Sequence, residues 1–300
     1  MRWIRIAVAM LLLSLNTVVH CVPLLLLAVM KVVLPFRPLR RALTTLLTGI
    51  AESWIGVNNW MIDRLSGTRL IVEGELPHCP DGQVLVLANH QSWIDIPVLQ
   101  RVFNQRLPLL RFFLKSQLIW VPVLGLAWWA LDFPFMKRYD RETIARRPEL
   151  AGRDIAATRR ACEKFRDRPV AIMNFVEGTR FDIAKHRRQG SSFRHLLKPR
   201  SGGIAFVLDA MQGAIDTIVD VTLVYPRGGG ELPALMAGEV PEVVVHVRTF
   251  PVPEVLKGGG YEDDPEFRQR FQNWLNEFWR EKDARIGRIL ARRAPPNGGD

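Results

Sequence analysis

The sequence predicts an α/β fold that follows a membrane-embedded helical segment at the amino terminus. Two observations predict it. Beyond residue 69, apolar runs of strand length alternate with helical patterns, and residues 6–30 contain no Asp, Glu, Lys or Arg. The 300 residues can bury one large core. We therefore divide the chain into a membrane-associated helical region (1–66), a folded domain (67–290) and a flexible tail (291–300).

The apolar segment 6–30 is long enough to cross a hydrocarbon core of about 30 Å. Three interpretations compete: a cleaved signal peptide, a spanning helix, or a re-entrant hairpin bent at Pro23. Arg2 and Arg5 precede the segment as in a signal peptide, but no small-x-small cleavage site follows, so we expect the segment to be retained. The hairpin stays open because three residues inside the segment suit lipid poorly. They are Asn16, His20 and Pro23.

Basic residues follow the apolar segment and bear on its orientation. Lys31, Arg37, Arg40 and Arg41 place the rest of the chain on the cytoplasmic side of a membrane, the inner membrane in a bacterium, although Arg2 and Arg5 oppose this assignment. A second amphipathic helix is then predicted, either at the membrane interface with Trp54 and Trp60 as anchors or packed on the folded domain. Its apolar stripe consists of Leu43, Leu46, Leu47, Ile50, Trp54, Val57, Met61 and Leu65.

Strands and helices alternate in the folded domain. Strands are predicted at 69–75, 83–89, 108–115, 169–176, 217–225 and 242–250. Helices are predicted at 93–103, 141–166, 202–211 and 265–290. The last helix carries an aromatic stripe that indicates core packing rather than a ligand site. The stripe consists of Phe267, Phe271, Trp274, Leu275 and Phe278.

Positive charge is concentrated in one segment. Residues 137–200 contain eighteen Lys and Arg against eight Asp and Glu, an excess of ten in a chain whose net charge is +11. Such a surface suits anionic lipid, phosphate-bearing substrates, an acidic carrier protein or nucleic acid, or it includes a solvated helix face at 146–168. Few aromatic residues interrupt the basic run, so we expect no nucleic-acid partner. The three scattered cysteines predict neither a disulfide framework nor a zinc site, and fit a reducing compartment.

The stretch NHQSWID, residues 89–95, follows a buried strand. Ser92 and Asp95 have the spacing of a capping box, which predicts that a helix begins here. A capping box does not need the histidine at position 90. A short loop and one helical turn can bring Asp95 against the ring of His90, so that Asp95 fixes the tautomer and His90 acts as a general base.

The stretch NFVEGTRFD, residues 174–182, ends another apolar strand. Gly178 allows a tight turn, and Glu177, Thr179 and Arg180 collect at the carboxyl end of the strand, where ligands bind in open α/β sheets. Arg180 with backbone amides and the Thr179 hydroxyl forms a possible phosphate clamp. The alternative is an ordinary strand-to-helix turn with a surface salt bridge.

Two further basic stretches stand beside apolar runs. Arg200 precedes a Gly-Gly helix start, where backbone amides and the helix dipole favour an anion. Lys137 and Arg138 end the aromatic run FPFMKR. Either stretch could also present solvated charges.

Taken together, these motifs resemble those of a family, the glycerolipid acyltransferases typified by 1-acylglycerol-3-phosphate O-acyltransferase. The resemblance covers about residues 70–230. Asn89, His90, Ser92 and Asp95 match its N-H-x-S-x-x-D block, and Glu177, Gly178, Thr179 and Arg180 match its E-G-T-R block. Lys115, Leu118, Pro122 and Gly125 resemble its K-x-x-L-x-x-x-P-x-x-G stretch, with Phe135 and Arg138 in the next basic block. Tyr225-Pro226 resembles the terminal strand-Pro block, and the stretch LLKPRSGG from Leu196 resembles the P-R-x-x-G feature of lysophosphatidate and lysocardiolipin acyltransferases.

The resemblance implies a mixed sheet flanked by helices and a catalytic domain at 67–290. It implies that His90, oriented by Asp95, deprotonates the free hydroxyl of a lysophospholipid, most simply 1-acyl-glycerol-3-phosphate. Acyl-CoA or an acyl carrier protein is the expected donor, with no other cofactor and no metal. The expected substrate-binding residues are Arg138, Glu177, Gly178, Thr179, Arg180 and Arg200, which hold the acceptor phosphate directly or order the residues that do. A serine acyl-enzyme is not expected, because the sequence has no G-x-S-x-G elbow.

Alternatives remain open at this stage. Val176 replaces a proline common before E-G-T-R, and Gln117 replaces a common glutamate, which leaves the acceptor undecided. The chain could acylate another lysophospholipid, or bind anionic lipid at a membrane without catalysis. A metal-dependent phosphoester hydrolase using His90, Asp95 and Glu177 is a further possibility, although the sequence contains no complete metal-binding motif.

Overall fold

The structure is a computed structural model. It describes residues 2–34, 36–136, 146, 160, 162–166, 168–258, 260–261 and 263–293. Arg138, nearly all of the helix predicted at 141–166, and the tail from residue 294 lie outside the described residues, so the predictions made for them are not tested.

The helices include two long ones at the amino terminus and a long one at the carboxyl end. They are α1 (Arg2–Val33), α2 (Arg37–Leu65), α3 (Asp95–Phe103), α4 (Leu124–Ala130), α5 (Ile183–Gln189), α6 (Gly202–Met211), α7 (Leu232–Ala237) and α8 (Pro265–Arg293). The strands are β1 (Arg69–Gly74), β2 (Gln83–Ala88), β3 (Leu110–Phe112), β4 (Leu114–Lys115), β5 (Phe135–Met136), β6 (Val170–Phe175), β7 (Thr217–Val224) and β8 (Glu242–Pro251).

A six-stranded mixed sheet forms the centre of the folded domain. Its strand order is β1-β8-β7-β2-β6-β3. Strand β2 pairs in parallel with both β6 and β7, whereas β8 runs antiparallel to β7 and parallel to β1. The expected mixed α/β sheet is therefore confirmed. The loops after β2, β6 and β7 emerge at one edge of the sheet, because these three strands run in the same direction.

The predicted strands agree with the observed ones except at residues 108–115. This run divides into β3, which pairs with β6, and β4, which pairs with the unpredicted strand β5 in a separate small ladder. The amide of Leu114 donates to the carbonyl of Pro134, so the chain changes partner after Phe112. Both segments share one apolar run, and hydropathy alone cannot show where a chain changes partner.

Helix α1 is long and apolar enough to cross a membrane, and it continues as a helix through Pro23. The predicted alternative of a hairpin bent at that proline is wrong: the helix continues to Val33, and the hairpin forms between α1 and α2. Packing against α2 also explains why α1 contains the polar residues Asn16 and His20, since both contact polar groups of α2. Asn16 donates to the carbonyl of Trp54 and to Oδ1 of Asn58, and His20 lies 3.2 Å from the Ser53 hydroxyl.

Helix α2 packs mainly on α1, with smaller contacts to α3 and α7. Part of the predicted stripe is buried there, namely Leu43, Leu47 and Met61, together with Ala51 and Ile55. Leu46, Val57 and Trp60 are exposed instead. Helix α2 therefore fits neither prediction completely, because one part of its apolar stripe is buried in the protein and another part is exposed.

Both ends of α1 contact the folded domain. Arg2 forms an ion pair with Glu239 at 2.6 Å, and Lys31 forms one with Asp132 at 2.9 Å. Between these contacts, many α1 side chains are exposed and apolar. They include Leu11, Leu15, Val19, Val22, Leu26 and Val29.

The core lies on both faces of the sheet. One face packs against α6 and α8, and the other against α3, α7 and the first helices. The aromatic stripe of α8 is buried as predicted, with Phe267, Phe271, Leu275 and Phe278 in the core and Trp274 packed against it. Helix α8 continues to Arg293, three residues beyond the predicted end.

Candidate active site

His90 and Asp95 meet at the carboxyl end of β2. Nδ1 of His90 lies 2.8 Å from Oδ2 of Asp95. The Asp95 side chain is fully buried, whereas that of His90 is 17% exposed. The imidazole ring of His90 therefore lies between the Asp95 carboxylate and the solvent. A proton on Nδ1 that is donated to Asp95 leaves Nε2 free to accept one.

The Asp95 carboxylate is held from several directions. Oδ2 also accepts the amides of Gln91 at 2.7 Å and Ser92 at 3.0 Å. Oδ1 accepts the hydroxyl of Tyr225, the first residue after β7. Burial, together with the Asp95 charge, raises the pKa of Tyr225 well above its usual range, so the phenol keeps its proton and donates. The orientation of the carboxylate is thereby fixed.

The predicted capping box is half formed. The Asp95 carboxylate does accept the Ser92 amide. The Ser92 hydroxyl, however, donates to the carbonyl of Gly230 at 2.6 Å and accepts its amide at 3.2 Å, and α3 begins at Asp95 without a side-chain cap. The prediction that Ser92 caps the helix is therefore wrong. Ser92 instead ties the His90 loop to the loop after β7, a distant contact that helix periodicity does not reveal.

The ring and the backbone of His90 are also fixed. Its ring stacks on Phe175 at the end of β6, with ring centroids 3.9 Å apart and planes 12° from parallel. Its amide donates to Oε2 of Glu177 at 2.7 Å, and its carbonyl accepts the amide of Phe181 at 2.7 Å. The E-G-T-R segment thus holds the His90 loop from the neighbouring strand.

Glu177 faces the protein interior. The side chain is fully buried, and Oε1 accepts the amide of Leu197 at 2.8 Å. Burial raises the pKa of Glu177 to about 8, although the two backbone donors oppose the rise. Of the two roles expected for Glu177, the geometry supports ordering of neighbouring residues, because both oxygens are occupied by backbone amides.

Arg180 lies at the surface beside an aromatic ring. Its guanidinium carbon is 3.3 Å from the ring centroid of Trp93, within the His90 loop. Thr179 Oγ1 accepts from Lys185 Nζ at 3.0 Å, and Lys185 also donates to the carbonyl of Arg180. The two expected clamp residues, Thr179 and Arg180, therefore lie next to a second cationic side chain, Lys185, that the sequence analysis did not single out.

Arg200 lies across Gly178. Gly178 has a φ of +68°, and a Cβ atom added to it would lie 3.2 Å from Cδ of Arg200. The Arg200 amide also donates to the carbonyl of Val176 at 2.9 Å. Gly178 thus provides both the left-handed turn and the space for the arginine. The structure brings together every predicted site residue except Arg138, which lies outside the described part of the chain.

Sequence reasoning gave no role to four residues that contact the site. They are Tyr225, Phe175, Trp93 and Lys185. Tyr225 was noted only as part of the strand-Pro block, and Phe175 only as part of an apolar strand. Lys185 at six residues from Thr179 is a local signal that could have been found. In the described part of the chain, no group of three or more His, Cys, Asp or Glu could hold a metal ion.

The comparison with known protein families decides the assignment. A model described as Acyltransferase matches residues 69–225, more than half of the chain. The chain belongs to the acyltransferase family. The matched residues of this acyltransferase run from the start of β1 to Tyr225, and so include both the His90 loop and the E-G-T-R segment.

The curated relatives are named as lysocardiolipin and 1-acyl-sn-glycerol-3-phosphate acyltransferases. The acyltransferase is 27% identical over 263 residues to lysocardiolipin acyltransferase 1 of Danio rerio, covering 80% of this chain and 61% of the relative. It is 25% identical over 250 residues to 1-acyl-sn-glycerol-3-phosphate acyltransferase epsilon of Mus musculus, covering 75% and 62%. The chain thus spans about three fifths of the length of these relatives.

A solved structure supports the fold. The crystal structure of the 1-acyl-sn-glycerophosphate acyltransferase PlsC from Thermotoga maritima matches with a TM-score of 0.51 and 16% identity, covering 96% of this chain and 98% of that chain. At this identity the match shows a shared fold, which includes the amino-terminal helices because nearly the whole chain is covered.

Proposed function

We propose that this protein is a membrane-bound O-acyltransferase that transfers an acyl chain from acyl-CoA or an acyl carrier protein to a lysophospholipid, most simply 1-acyl-glycerol-3-phosphate, to give phosphatidic acid. The observation that carries the proposal is the His90–Asp95 pair, in which a buried carboxylate holds Nδ1 and leaves Nε2 for the substrate. The names of the relatives support the acceptor class.

The reaction follows from this geometry. Nε2 of His90 takes the proton of the acceptor hydroxyl while its oxygen attacks the thioester carbonyl carbon. The Asp95 charge stabilises the imidazolium that forms. The tetrahedral intermediate then collapses, the C–S bond breaks, and the imidazolium returns the proton to the leaving thiolate. The products are an ester and a free thiol, and no covalent enzyme intermediate is required.

The acceptor phosphate would lie near Arg180 and Arg200. Arg180 lies two residues after Gly178 beside Trp93, and Arg200 lies across Gly178. A guanidinium forms paired hydrogen bonds with phosphate oxygens. Arg138 is proposed as a third contributor on the basis of the family resemblance.

We further propose that the α1–α2 hairpin lies in one face of the membrane, with the folded domain on the cytoplasmic side. The ion pairs of Arg2 with Glu239 and of Lys31 with Asp132 support the placement in one face, because a helix with both ends on one domain cannot have one end across a bilayer. In a variant with serine at the native cysteines, new cysteines at Trp3 and Phe36 should react with an impermeant thiol reagent from the same side. Reaction from opposite sides would show that α1 spans the membrane.

Product formation tests the activity. The purified protein in detergent, given lysophosphatidic acid and either donor, should form phosphatidic acid. His90→Ala should abolish this while leaving the unfolding temperature near that of the wild type. Full activity in the variant would exclude His90 as the base.

Asp95→Asn is a second test. By analogy with aspartates that orient histidine in other acyl-transfer enzymes, it should lower kcat by roughly 10³- to 10⁴-fold. Asp63→Asn is a matched control, because Asp63 is a partly exposed carboxylate that pairs with Arg101 at 2.6 Å rather than with His90. It should change kcat less than about twofold.

A second acceptor is supported by the lysocardiolipin acyltransferase relative. The same His90 chemistry applies to any lysophospholipid hydroxyl, so the acceptor is decided by the headgroup contacts. A panel of lysolipids assayed with both donors distinguishes the two acceptors by kcat/KM. A preference for lysocardiolipin would replace lysophosphatidic acid in the proposal and leave the mechanism unchanged.

A further inference from the structure

A basic cavity of about 450 Å³ lies where the α1–α2 hairpin turns. It is lined by the end of α1, the first turns of α2 and the segments before β5 and β6. Its six basic side chains are Lys31, Arg37, Arg40, Arg41, Lys164 and Arg168. Thr44 and Asp132 complete the described lining.

Among the described residues, the positive charge of this cavity is largely uncompensated. Asp132 contributes the single carboxylate of the described lining, and its oxygens lie 2.9 Å from Lys31 Nζ and 3.9 Å from Lys164 Nζ. One negative charge against six positive charges leaves an excess of five. Among the described residues, the three α2 arginines that line the cavity have no carboxylate within ion-pair distance. Several guanidinium groups facing one cavity are suited to a phosphate group, which each can bind through paired hydrogen bonds.

This cavity is separate from the catalytic site. Arg168 precedes β6, whereas Glu177 follows the same strand. A strand rises about 3.3 Å per residue, so the two ends of β6 lie about 17 Å apart, and the residues that flank them lie farther apart. The basic cavity therefore belongs to the opposite edge of the sheet from His90.

The surroundings of the cavity are apolar and exposed. Val32, Val33 and Phe36 flank the basic residues at the hairpin turn and are 63%, 70% and 66% exposed. Basic side chains next to exposed apolar ones match the boundary between headgroups and acyl chains in a bilayer. A soluble phosphate would use the charges of the cavity but would leave these apolar side chains in water.

We propose that this cavity binds the phosphate of an anionic membrane phospholipid, whose acyl chains pack along the exposed turn of the α1–α2 hairpin. The bound lipid is a structural ligand rather than a substrate, because the cavity is remote from His90. It would hold the hairpin turn at headgroup depth and favour membranes that contain anionic lipid. This inference does not depend on the acyl-transfer reaction.

Binding can be measured without activity. The full chain in a neutral detergent is titrated with phosphatidylglycerol or with phosphatidylcholine, and bound lipid is counted by native mass spectrometry. The wild type should bind phosphatidylglycerol more tightly, with an affinity that falls as salt is added. Arg37→Gln/Arg40→Gln/Arg41→Gln should weaken this binding by at least about tenfold, given the usual contribution of each basic residue near an anionic lipid.

The matched control removes three exposed arginines from α8, Arg270→Gln/Arg280→Gln/Arg288→Gln. It has the same net charge as the α2 variant and should bind phosphatidylglycerol as the wild type does. Equal weakening in both variants, or none in the α2 variant, would overturn the proposal. Inorganic phosphate that binds as tightly as the lipid would show a soluble-phosphate site instead.

Turnover in detergent separates this inference from the proposed function. The α2 variant should keep its kcat and its KM for the acyl donor, because the cavity does not contact His90. A raised donor KM with unchanged lipid binding would assign the cavity to the phosphates of the donor, and would overturn the lipid assignment. A wild type inactive on every acceptor would refute the proposed reaction but would leave the binding result intact.

Discussion

The carboxylate of Glu177 accepts the backbone amide of His90 at a distance of 2.7 Å, although the two residues are 87 positions apart. The second oxygen of Glu177 accepts the amide of Leu197. One buried side chain thereby joins the His90 loop, the E-G-T-R segment and the chain before Arg200. Helix α8 supports this arrangement, because Trp279 donates to the carbonyl of Leu197 and Asp283 accepts the amide of His195.

Glu177→Gln should impair catalysis without removing any group that contacts substrate. Glutamine has one oxygen, so one of the two buried amides loses its acceptor at a cost of about 1–3 kcal/mol. We expect kcat to fall about tenfold or more and the unfolding temperature to drop. Gln189→Ala, which removes an acceptor from the exposed amide of Lys198, is the control and should change kcat little. Unchanged kcat in Glu177→Gln would show that Glu177 does not order His90.

Glu177 also predicts a dependence of stability on pH. Its pKa is about 8 in the folded protein and near 4.5 in the unfolded chain, so the folded state binds more protons between these values. The contribution of Glu177 to the free energy of unfolding should therefore be greatest below pH 4.5 and be lost as the pH rises to about 8, with a slope approaching about 1.4 kcal/mol per pH unit. Denaturant unfolding of the wild type and of Glu177→Gln, measured across this range, isolates the contribution. If the free energy of unfolding varied with pH in the same way for both proteins, the predicted contribution of Glu177 would be contradicted.

Tyr225→Phe tests the hydroxyl that donates to Asp95 in addition to His90 and the amides of Gln91 and Ser92. The change keeps the ring but removes the hydroxyl that donates to Oδ1, so the carboxylate loses one of the contacts that orient it. We expect kcat to fall about tenfold and stability to fall by about 1 kcal/mol. Tyr261→Phe removes a hydroxyl that contacts Ser201, and should lower stability but keep kcat within about twofold. Equal kcat values for the two variants would argue against a role of Tyr225 in catalysis.

Trp93→Ala tests how Arg180 is positioned. Loss of the ring removes a cation–π contact of about 0.5–2 kcal/mol, so the KM for the phosphate-bearing acceptor should rise several-fold while kcat changes less. Trp60→Ala is a matched control, since Trp60 is also 59% exposed and also lies beside an arginine, Arg64. Assays in detergent should show an unchanged acceptor KM for Trp60→Ala. A Trp93→Ala enzyme with the KM of the wild type would show that the stacking does not serve binding.

Local sequence patterns were enough to predict much of the secondary structure of this protein. The strands, the long carboxyl-terminal helix and the loops that carry His90 and Arg180 follow from hydropathy periodicity and turn residues, which act over a few positions along the chain. The single run at 108–115 was not resolved into β3 and β4, because the change of strand partner depends on Pro134 and Phe135 rather than on the run itself.

The sequence alone predicted that Asp95 can reach His90, because five positions and one helical turn limit their separation. Only the tertiary structure decided what surrounds them. Strand β2 lies between β6 and β7, so Glu177 and Phe175 approach His90 from one side and Tyr225 approaches Asp95 from the other. These contacts join residues 85 to 130 positions apart, and they depend on the order of strands in the sheet, which a local pattern does not encode.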